Sequence, residues 1–339
     1  MMDRAQLESH LAKPSPQLIG DLSQLDGDIM ILGAGGKMGP SLAKLAKNAV
    51  VAGSLDKRVI AVSRFSSGDL RKELDEFGVE TQAVDLMSQD DVKALPKVKN
   101  VIYMAGQKFG TTGREHYTWA MNTLVPGEVA ARYRDSRIVV FSSGNVYPFM
   151  PVAFGGASEH VPPSPVGEYA QSCLGRERIF QHYSHRFGTA ILCFRLNYAI
   201  DLRYGVLLDL AQQVKTQQPV DLSMGHVNVL WQGDANEYAL RSLLLTQSNG
   251  GRILNATGPE TISIRWLAGE FANRFDVEPI FVGEEQETCL LNNASVAHEL
   301  FGYPRVSLQQ MIAWTAAWIE AGGETLGKPT HFQERKGRF

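Results

Sequence analysis

A glycine-rich run near the start of the chain has the spacing of a phosphate-binding turn. The letters G-A-G-G-K-M-G occupy residues 33–39 and directly follow a short apolar segment. Such glycines let a pyrophosphate approach the backbone N–H groups at the first turn of a helix. The spacing G-x-G-x-x-G fails because its last glycine would fall at Met38, whereas G-x-x-G-x-x-G fits through Gly33, Gly36 and Gly39. A ligand-free turn would show the same glycines, yet their position between strand and helix predicts a dinucleotide.

The end of the second predicted strand bears on which dinucleotide binds. An acidic residue at that place holds the ribose hydroxyls of NAD and repels the 2′-phosphate of NADP. Here the strand ends in Val62-Ser63-Arg64, with no acid and with one guanidinium that can pair with a phosphate. The sequence therefore slightly favours NADP over NAD, although a solvated loop arginine would look the same.

Strand and helix patterns alternate from the glycine run onward. Between residues 28 and 195 the apolar runs of strand type lie at residues 29–32, 59–62, 80–84, 101–104, 138–141 and 190–194. Helical patterns separate these runs, which is typical of a parallel sheet with both faces covered. We therefore predict an α/β fold with a doubly wound parallel (Rossmann) sheet and a smaller C-terminal substrate lobe.

The alternation loosens after Arg195, which suggests a change of domain. The predicted parts are an N-terminal appendage (1–27), a dinucleotide-binding Rossmann domain (28–195, with a further strand at about 252–255), a mainly substrate-binding lobe (196–325) and a polar tail (326–339). The basic end of that tail is typical of a solvated segment.

Composition excludes several other classes of protein. The chain has 339 residues, 44% of them hydrophobic and 20% charged, which is ordinary for a protein with a full core. Its net charge of −3 argues against binding to nucleic acid or anionic membranes. No apolar stretch approaches the roughly 20 residues of a membrane span, and the mixed-charge start is unlike a secretory signal. The three cysteines, far apart in sequence, favour a cytoplasmic protein with reduced thiols.

Several short motifs stand in the order found in one enzyme family. In chain order they are the glycine run, Asp85-Leu86, Met104-Ala105-Gly106, Asn122, Ser142-Ser143-Gly144-Asn145-Val146-Tyr147, the acidic and proline-rich residues 158–165, Tyr169 and Arg195-Leu196-Asn197. Over about residues 28–320 the chain thus resembles the extended short-chain dehydrogenases/reductases, the NAD(P)-dependent epimerase/dehydratase family. The resemblance implies hydride exchange with NADP or NAD at a hydroxyl or keto carbon of a sugar, sugar acid or sugar nucleotide.

The resemblance also implies roles for individual residues. Ser143 would hydrogen-bond the reacting oxygen, Tyr169 would be the acid/base, and Asn122 would help to position them. Asp85 would contact the adenine. The full set of implied cofactor-binding residues is Gly33, Gly35, Gly36, Lys37, Met38, Gly39, Ser63, Arg64, Asp85, Leu86, Met104, Ala105, Gly106 and Cys173.

One position departs from the family pattern. The family has a lysine four residues after its tyrosine, where it binds the nicotinamide ribose and lowers the tyrosine's pKa; this chain has Cys173. Because a free phenol has a pKa of about 10, Tyr169 without that cation stays mostly neutral at pH 7. A neutral phenol still donates a proton in a reduction, whereas an oxidation needs a base. We expect Lys108 to act as the substitute cation, with Arg114 and Arg176 as further candidates.

The missing lysine leaves alternatives open. The chain is either an enzyme or a catalytically degenerate cofactor-binding protein, a sensor or scaffold of the same fold. The retained Ser143 and Tyr169 favour an enzyme. A third alternative is a reductase that uses Tyr169 only as a proton donor. Cys173 is either a reactive thiol or a small packing residue, and the second is the commoner case for a half-buried helical cysteine.

The expected partners are a small carbohydrate-like substrate and a second copy of the chain. An open α/β sheet binds ligands at the carboxyl edge of its strands, beneath the second lobe. Polar residues of that lobe that could line the cleft are Asn197, Arg203, Tyr204 and His226. Family members dimerise through the helices after the fourth and fifth strands, so we expect a homodimer by analogy. His182 and His185 lack further ligands, so we expect no metal.

Overall fold

A parallel sheet of seven strands forms the centre of the protein, which we describe from a computed structural model covering residues 2–66, 68–108, 110 and 112–338. The strands are β1 (Ile29–Leu32), β2 (Val59–Ser63), β3 (Glu80–Ala83), β4 (Asn100–Tyr103), β5 (Arg137–Ser143), β6 (Ala190–Leu196) and β7 (Arg252–Ala256). Their order across the sheet is β7-β6-β5-β4-β1-β2-β3, and every neighbouring pair is parallel.

Helices connect the strands and cover both faces. They are α1 (Arg4–Leu11), α2 (Pro16–Ser23), α3 (Gly39–Ala52), α4 (Leu70–Glu76), α5 (Gln89–Ala94), α6 (Glu115–Trp119), α7 (Val125–Arg132), α8 (Gly167–Phe187), α9 (Val206–Lys215), α10 (Gln232–Arg241), α11 (Ile264–Phe275), α12 (Ser295–Phe301) and α13 (Leu308–Glu320). A π-helical segment, Ala120–Leu124, joins α6 to α7.

Burial on both faces explains why the strands are so uniformly apolar. In β1, Ile29 and Ile31 belong to the core on one face, and Met30 and Leu32 belong to the core on the other. Successive side chains of a strand point to opposite faces, so a sheet covered twice needs apolar residues at every position. The predicted α/β class and doubly wound parallel sheet are thereby confirmed.

The region after β6 builds a second apolar core. Helices α9, α11 and α13 pack on one another, with fully buried Leu207, Leu267 and Ile312 between them. Short strand pairs support this lobe, for example His226–Val227 against Ile262–Ser263. The lobe stands beside the carboxyl edge of the sheet, where residues 196–206 pass from β6 into α9.

The first 27 residues, expected as an appendage, form two helices that are part of the body. Leu7 and Leu11 of α1 are fully buried in the second core, while Leu18 and Leu22 of α2 are fully buried in the sheet core. Each pair is spaced by four residues and therefore lies on one helix face. This segment packs on the body and links the two cores, because burying its leucines removes their apolar surface from water.

The chain ends in a segment that lies on the body, which we call the C-terminal strap (residues 326–338). We expected its basic end to be solvated: Lys336 and Arg338 are exposed, whereas Arg335 is half-buried and fixed on the body. Phe332 is buried in the second core, and Arg335 donates to the carbonyl oxygen of Thr288 at 2.7 Å and stacks on the Phe149 ring. A buried aromatic ring and a fixed guanidinium hold the strap in place.

Two sequence-level observations have structural counterparts. Cys173, Cys193 and Cys289 are all buried free thiols. Within the ranges that the structure describes, no helix is both long and apolar enough to cross a membrane.

Candidate active site

A cavity of about 680 Å³ opens where the carboxyl ends of the central strands meet the second lobe. Its walls come from the turn after β1, the segment after β4, the end of β5 and the segment after β6. This is the edge at which the sequence placed the substrate cleft.

Two glycines of the run at 33–39 are required by close backbone contacts. Gly33 has a φ of +94°, and a β-carbon there would lie 2.6 Å from the backbone nitrogen of Ala105. A β-carbon on Gly39 would lie 2.3 Å from the carbonyl oxygen of Ala34. The first glycine lets the turn pass the end of β4, and the last lets α3 start against the turn.

The start of α3 fits the pyrophosphate of a dinucleotide. No side chain caps this 14-residue helix, whose N-cap residue is Met38. Its first N–H groups therefore lack a side-chain acceptor, and the positive end of the helix dipole is directed at the cavity wall formed by Gly36, Lys37 and Met38. A cofactor pyrophosphate would be held by these N–H groups, as anions are at other helix starts.

The remaining cofactor candidates fall into two groups. Met104 and Gly106 line the cavity, together with Gly33, Gly36, Lys37 and Met38. The candidates outside its lining are Gly35, Gly39, Ser63, Arg64, Asp85, Leu86, Ala105 and Cys173. Gly35 nevertheless touches the end of β2, since a β-carbon on it would lie 2.3 Å from Ser63 Oγ. Arg64 follows β2 and Asp85 follows β3, and both side chains are exposed. The adenosine of a bound dinucleotide would extend toward these two strand ends.

The structure brings Ser143 and Tyr169 together in the cavity. Ser143 is the last residue of β5, and Tyr169 lies in the first turn of α8. Both side chains line the cavity, and Ser143 lies close enough to Tyr169 for its hydroxyl to lower the pKa of the phenol slightly, against the larger effect of burial. Ser143 Oγ also lies 3.1 Å from Asn145 Oδ1, which fixes the orientation of the hydroxyl.

Tyr169 is held as a neutral phenol. Burial raises the pKa of Tyr169 well above its usual value, and the neighbouring Cys173 raises it further, while Arg176 opposes the shift. A phenol with a raised pKa is a proton donor at neutral pH and a poor base.

Cys173 occupies the position of the family's lysine without replacing its charge. Its side chain is fully buried among Val146, Tyr147 and Ala157. Burial raises the pKa of the Cys173 thiol, so it stays protonated beside Tyr169. These surroundings favour the packing interpretation over that of a reactive thiolate.

Two cations lie near Tyr169, and a third candidate does not. Lys108 Nζ is 5.9 Å from the centre of the Tyr169 ring, and its side chain lines the cavity. Arg176 also lines the cavity, and its guanidinium donates to Phe141 O at 2.8 Å and to Asn122 Oδ1 at 2.6 Å. Arg114 is exposed and stacks on Tyr117, outside the cavity lining.

Asn122 lies behind the cavity wall and holds it in shape. This fully buried residue accepts from the backbone N–H of Gln107 at 2.9 Å and donates to its carbonyl oxygen at 3.1 Å. It also donates to Ser172 Oγ at 2.9 Å. Asn122 sits in the π-helical segment, a local irregularity often found at functional sites. Its amide thus fixes the segment that carries Lys108.

A buried ion pair between α8 and β6 holds the end of β5 in place. Glu177 accepts from Arg195 Nε at 2.9 Å and Nη2 at 2.7 Å, and both side chains are almost fully buried. Ser142 Oγ donates to the same carboxylate at 2.5 Å. The pair therefore ties α8 to β5 and β6, one residue before Ser143.

The second lobe contributes part of what the sequence predicted. Asn197 and Tyr204 line the cavity. Arg203 does not line it, because its guanidinium pairs with Asp201 at 2.7 Å and with Glu8 at 2.6 Å. His226 lies outside the cavity in a short strand pair. In the part of the chain that the structure describes, no three potential ligand side chains cluster as a metal site.

The C-terminal strap is the part of the site that sequence reasoning missed. Residues 327–331 line the cavity. Thr330 donates its backbone N–H and its hydroxyl to Asp209 Oδ2, at 2.7 and 2.6 Å. The only signal in the sequence was Phe332, a large apolar residue inside a polar tail.

The family of the chain follows from these features and from its sequence. The NAD dependent epimerase/dehydratase family matches residues 29–200, which include the glycine turn, Ser143 and Tyr169. The chain belongs to this family of NAD-dependent enzymes. The resemblance inferred from the order of the motifs is thereby confirmed, and so is the enzyme class that it implied. No curated protein matches the sequence.

Solved structures of the same fold include sugar-nucleotide epimerases. UDP-glucose 4-epimerase from Thermotoga maritima is 14% identical, with a TM-score of 0.70 over 87% of this chain and 99% of that one. UDP-glucuronic acid 4-epimerase from Bacillus cereus, in complex with NAD, is 18% identical, with a TM-score of 0.69 and the same coverage. UDP-glucose 4-epimerase from Thermus thermophilus, also with NAD, is 18% identical over 86% of this chain and 99% of that one, with a TM-score of 0.69. These similarities establish the fold.

Proposed function

We propose that the protein exchanges a hydride between a nicotinamide cofactor and a hydroxyl or keto carbon of a sugar, sugar acid or sugar nucleotide. The observation that carries the proposal is the meeting of Ser143 and Tyr169 in the same cavity as the uncapped start of α3. One edge of the sheet thus holds both a place for the cofactor that transfers the hydride and the residues that transfer the proton. The sugar nucleotides bound by structural relatives support the substrate class.

The residues divide the work as follows. Bound NAD(P) supplies the site that takes up or releases the hydride. Tyr169 exchanges the proton of the reacting oxygen, and Ser143 hydrogen-bonds that oxygen and orients it. Lys108 and Arg176 place positive charge beside the phenol, in the role that the family's lysine would have. Because Tyr169 is neutral at rest, the reduction proceeds faster than the oxidation.

Turnover by Tyr169→Phe tests the proposal. Nicotinamide absorbance is followed with NAD(H) and NADP(H) over a panel of sugars, sugar acids and sugar nucleotides. Tyr169→Phe is expected to lose at least about 100-fold in kcat, the usual contribution of a positioned acid or base. Tyr303→Phe, at a 71% exposed ring, serves as the matched control and should keep full activity. Unchanged turnover in Tyr169→Phe would remove this residue from the mechanism.

The alternative function is a cofactor-binding sensor or scaffold without catalysis, and its basis is Cys173. Cys173→Lys separates the two. Activity that appears only in this variant would identify the natural protein as catalytically degenerate. We expect the opposite result, an active parent that Cys173→Lys slows. Arg176 and Lys108 already lie beside Tyr169, so the parent would use these cations in place of the family's lysine. Cys173→Ser is the control for altered packing.

We infer a modest preference for NADP over NAD. Arg64 is exposed at the end of β2 and forms no ion pair with any residue that the structure describes, so it is available to a 2′-phosphate. Arg64→Gln should weaken NADPH binding by roughly tenfold and leave NADH binding unchanged. Arg134→Gln, on a distant exposed turn, is the control. Equal affinities for the two dinucleotides in the parent would contradict the preference.

We also propose a homodimer that acts in the cytoplasm. A groove between α8 and α7 with the π-helical segment before it is lined by apolar residues such as Leu124, Ile179 and Tyr183 and by the charged Glu128 and Arg178, and Leu124 is 67% exposed. Exposed apolar side chains on the two helices through which family members dimerise support a dimer. Light scattering should show a dimer for the parent and a monomer for Leu124→Glu; a monomeric parent contradicts it. The buried free thiols favour a reducing compartment, which fractionation of cells would test.

A further inference from the structure

The lining of the active-site cavity is strongly one-sided in charge. Among its described residues it contains four lysine or arginine side chains, Lys37, Lys108, Arg176 and Lys328, one histidine, His331, and no acidic side chain. The whole chain, by contrast, has a net charge of −3. A cavity of one sign with low-dielectric walls concentrates ions of the opposite sign.

Lys37 reaches across the cavity toward the second lobe. Its Nζ donates to Ala199 O at 3.3 Å and lies 3.5 Å from the centre of the Tyr204 ring. Both of these direct partners are formally neutral, and the carboxylates that act on Lys37, those of Asp201 and Asp209, raise its pKa less than burial lowers it. Burial, followed by the charge of Lys108, lowers the pKa of Lys37 to about 7.

Lys108 is close to both Lys37 and Tyr169. It lies near enough to Lys37 for the two charges to repel, and its Nζ is 5.9 Å from the centre of the Tyr169 ring. Asp201 and Asp209 act on Lys37, and Asp209 acts on Lys108 as well. Both carboxylates already have partners, since Asp201 pairs with Arg203 at 2.7 Å and Asp209 Oδ2 accepts two hydrogen bonds from Thr330. An anion placed between the two ammonium groups would relieve their repulsion and lie beside the reacting carbon.

We propose that Lys37 and Lys108 together bind a carboxylate of the substrate, so that the substrate is a sugar acid whose reacting hydroxyl or keto group faces Tyr169. The proposal rests on the proposed function, because it takes Tyr169 to mark the reacting carbon. It narrows the substrate class by the charge that the cavity supplies. The same two cations would equally accept a phosphoryl oxygen of the cofactor, and the experiment below separates the two sources.

Matched acids and amides test the site in the protein loaded with NADH. Glucuronate, galacturonate and gluconate are titrated by calorimetry beside glucuronamide, galacturonamide and gluconamide, which differ only in the charge. At least one acid should bind about tenfold or more tightly than its amide, as hydrogen bonds to a charged group would provide. The ratio should fall to about one in Lys37→Gln and Lys108→Gln. Equal binding of acid and amide in every pair, or no binding of any acid, overturns the proposal.

Further variants exclude trivial explanations. Lys37→Arg and Lys108→Arg keep the charge and should keep most of the acid–amide ratio, whereas a purely structural defect would remove it. Lys72→Gln, on the exposed face of α4, controls for the loss of one charge. If Lys37→Gln weakens NADH binding tenfold while the acid–amide ratio is unchanged, the anion belongs to the cofactor and the proposal is wrong.

The two proposals fail in different ways. Acids that bind with full discrimination but never change the nicotinamide absorbance would contradict the proposed function and leave the carboxylate site standing. Hydride exchange with neutral sugars, unaffected by Lys37→Gln, together with equal binding of acids and amides, would support the proposed function and overturn the carboxylate site.

Discussion

The carbonyl oxygen of Gly337 lies 2.4 Å from the point that a β-carbon on Gly167 would occupy. Both glycines have positive φ values, +71° and +83°, so two backbones cross where neither tolerates a side chain. Gly167 begins α8, two residues before Tyr169. At its other end the strap is held by Thr330 on Asp209 of the second lobe. The C-terminal strap therefore joins the second lobe to the helix of Tyr169 across the cavity.

Gly337→Ala is expected to loosen this closure. A β-carbon on Gly337 would lie 2.4 Å from Val166 O, so the strap end must move away from α8. We expect NADH to dissociate several-fold faster, measured by stopped-flow fluorescence after displacement with excess NAD. Gly322→Ala is the matched control, because Gly322 has a φ of +69° but nothing within 4 Å of its added β-carbon. Both variants carry the strain of a positive φ, but only Gly337→Ala disturbs the crossing. Equal rates of NADH release in the two variants would therefore contradict the prediction.

Glu177→Ala is expected to be severely destabilising. The substitution leaves the guanidinium of Arg195 buried without its carboxylate and removes the acceptor of Ser142. Breaking a buried pair in this way costs about 3–5 kcal/mol of unfolding free energy. Glu76→Ala breaks the exposed pair of α4 with Lys72 and should cost only about 0.5 kcal/mol. Urea unfolding of both variants measures the difference, and similar losses would contradict this account.

The sheet could be predicted from the sequence because each buried strand appears as a short apolar run, a signal that is local to its segment. Predicted strand ends lie within two residues of the observed ends. The largest differences fall on β5 and β6, where polar Ser142, Ser143 and Arg195 continue the strand beyond the apolar run. Their pattern breaks at that point because Glu177, on another element, supplies the partner for two of them.

The strap and the second half of the site could not be predicted in this way. Thr330 and Asp209 are 121 residues apart, and nothing in the local pattern of either indicates the other. The sequence gives Arg176 only as a secondary candidate for the substitute cation. Its guanidinium is oriented by hydrogen bonds to Phe141 O and Asn122 Oδ1, which only the fold brings near it. Ser143 and Tyr169 were found because a known family places them by motif, not because their spacing demands contact.

Asn122→Ala and Asn122→Asp should differ in stability. The alanine variant leaves the N–H of Gln107 and one Arg176 donor without their acceptor, whereas aspartate keeps an oxygen for both. Each buried donor left unsatisfied costs about 1–3 kcal/mol, so the alanine variant should be the less stable by at least that amount. Urea unfolding gives the comparison. An aspartate variant as unstable as the alanine variant would mean that the amide's donation to Ser172 and Gln107 O dominates.

The unusual state of Lys37 and Lys108 should appear as a pH dependence of stability. Burial is the main cause that lowers the pKa of Lys37 to about 7 and that of Lys108 to about 8, from an ordinary 10.5. Between these values and 10.5 the unfolded chain binds more protons than the folded one, so the free energy of unfolding rises with pH over this window. Below pH 7 both forms are protonated and this contribution is flat.

The double variant Lys37→Met/Lys108→Met isolates that contribution. Urea unfolding at about pH 7 and about pH 9.5 should show a rise for the parent that is absent, or much smaller, in the double variant. Lys47→Met/Lys72→Met, at lysines outside the cavity, should keep the parent's rise. Over the same window the lysines lose their charge, so glucuronate should bind the NADH-loaded parent more weakly as the pH increases. A parent whose stability is independent of pH here would mean that both lysines titrate normally, and the cavity would then be less desolvated than its lining indicates.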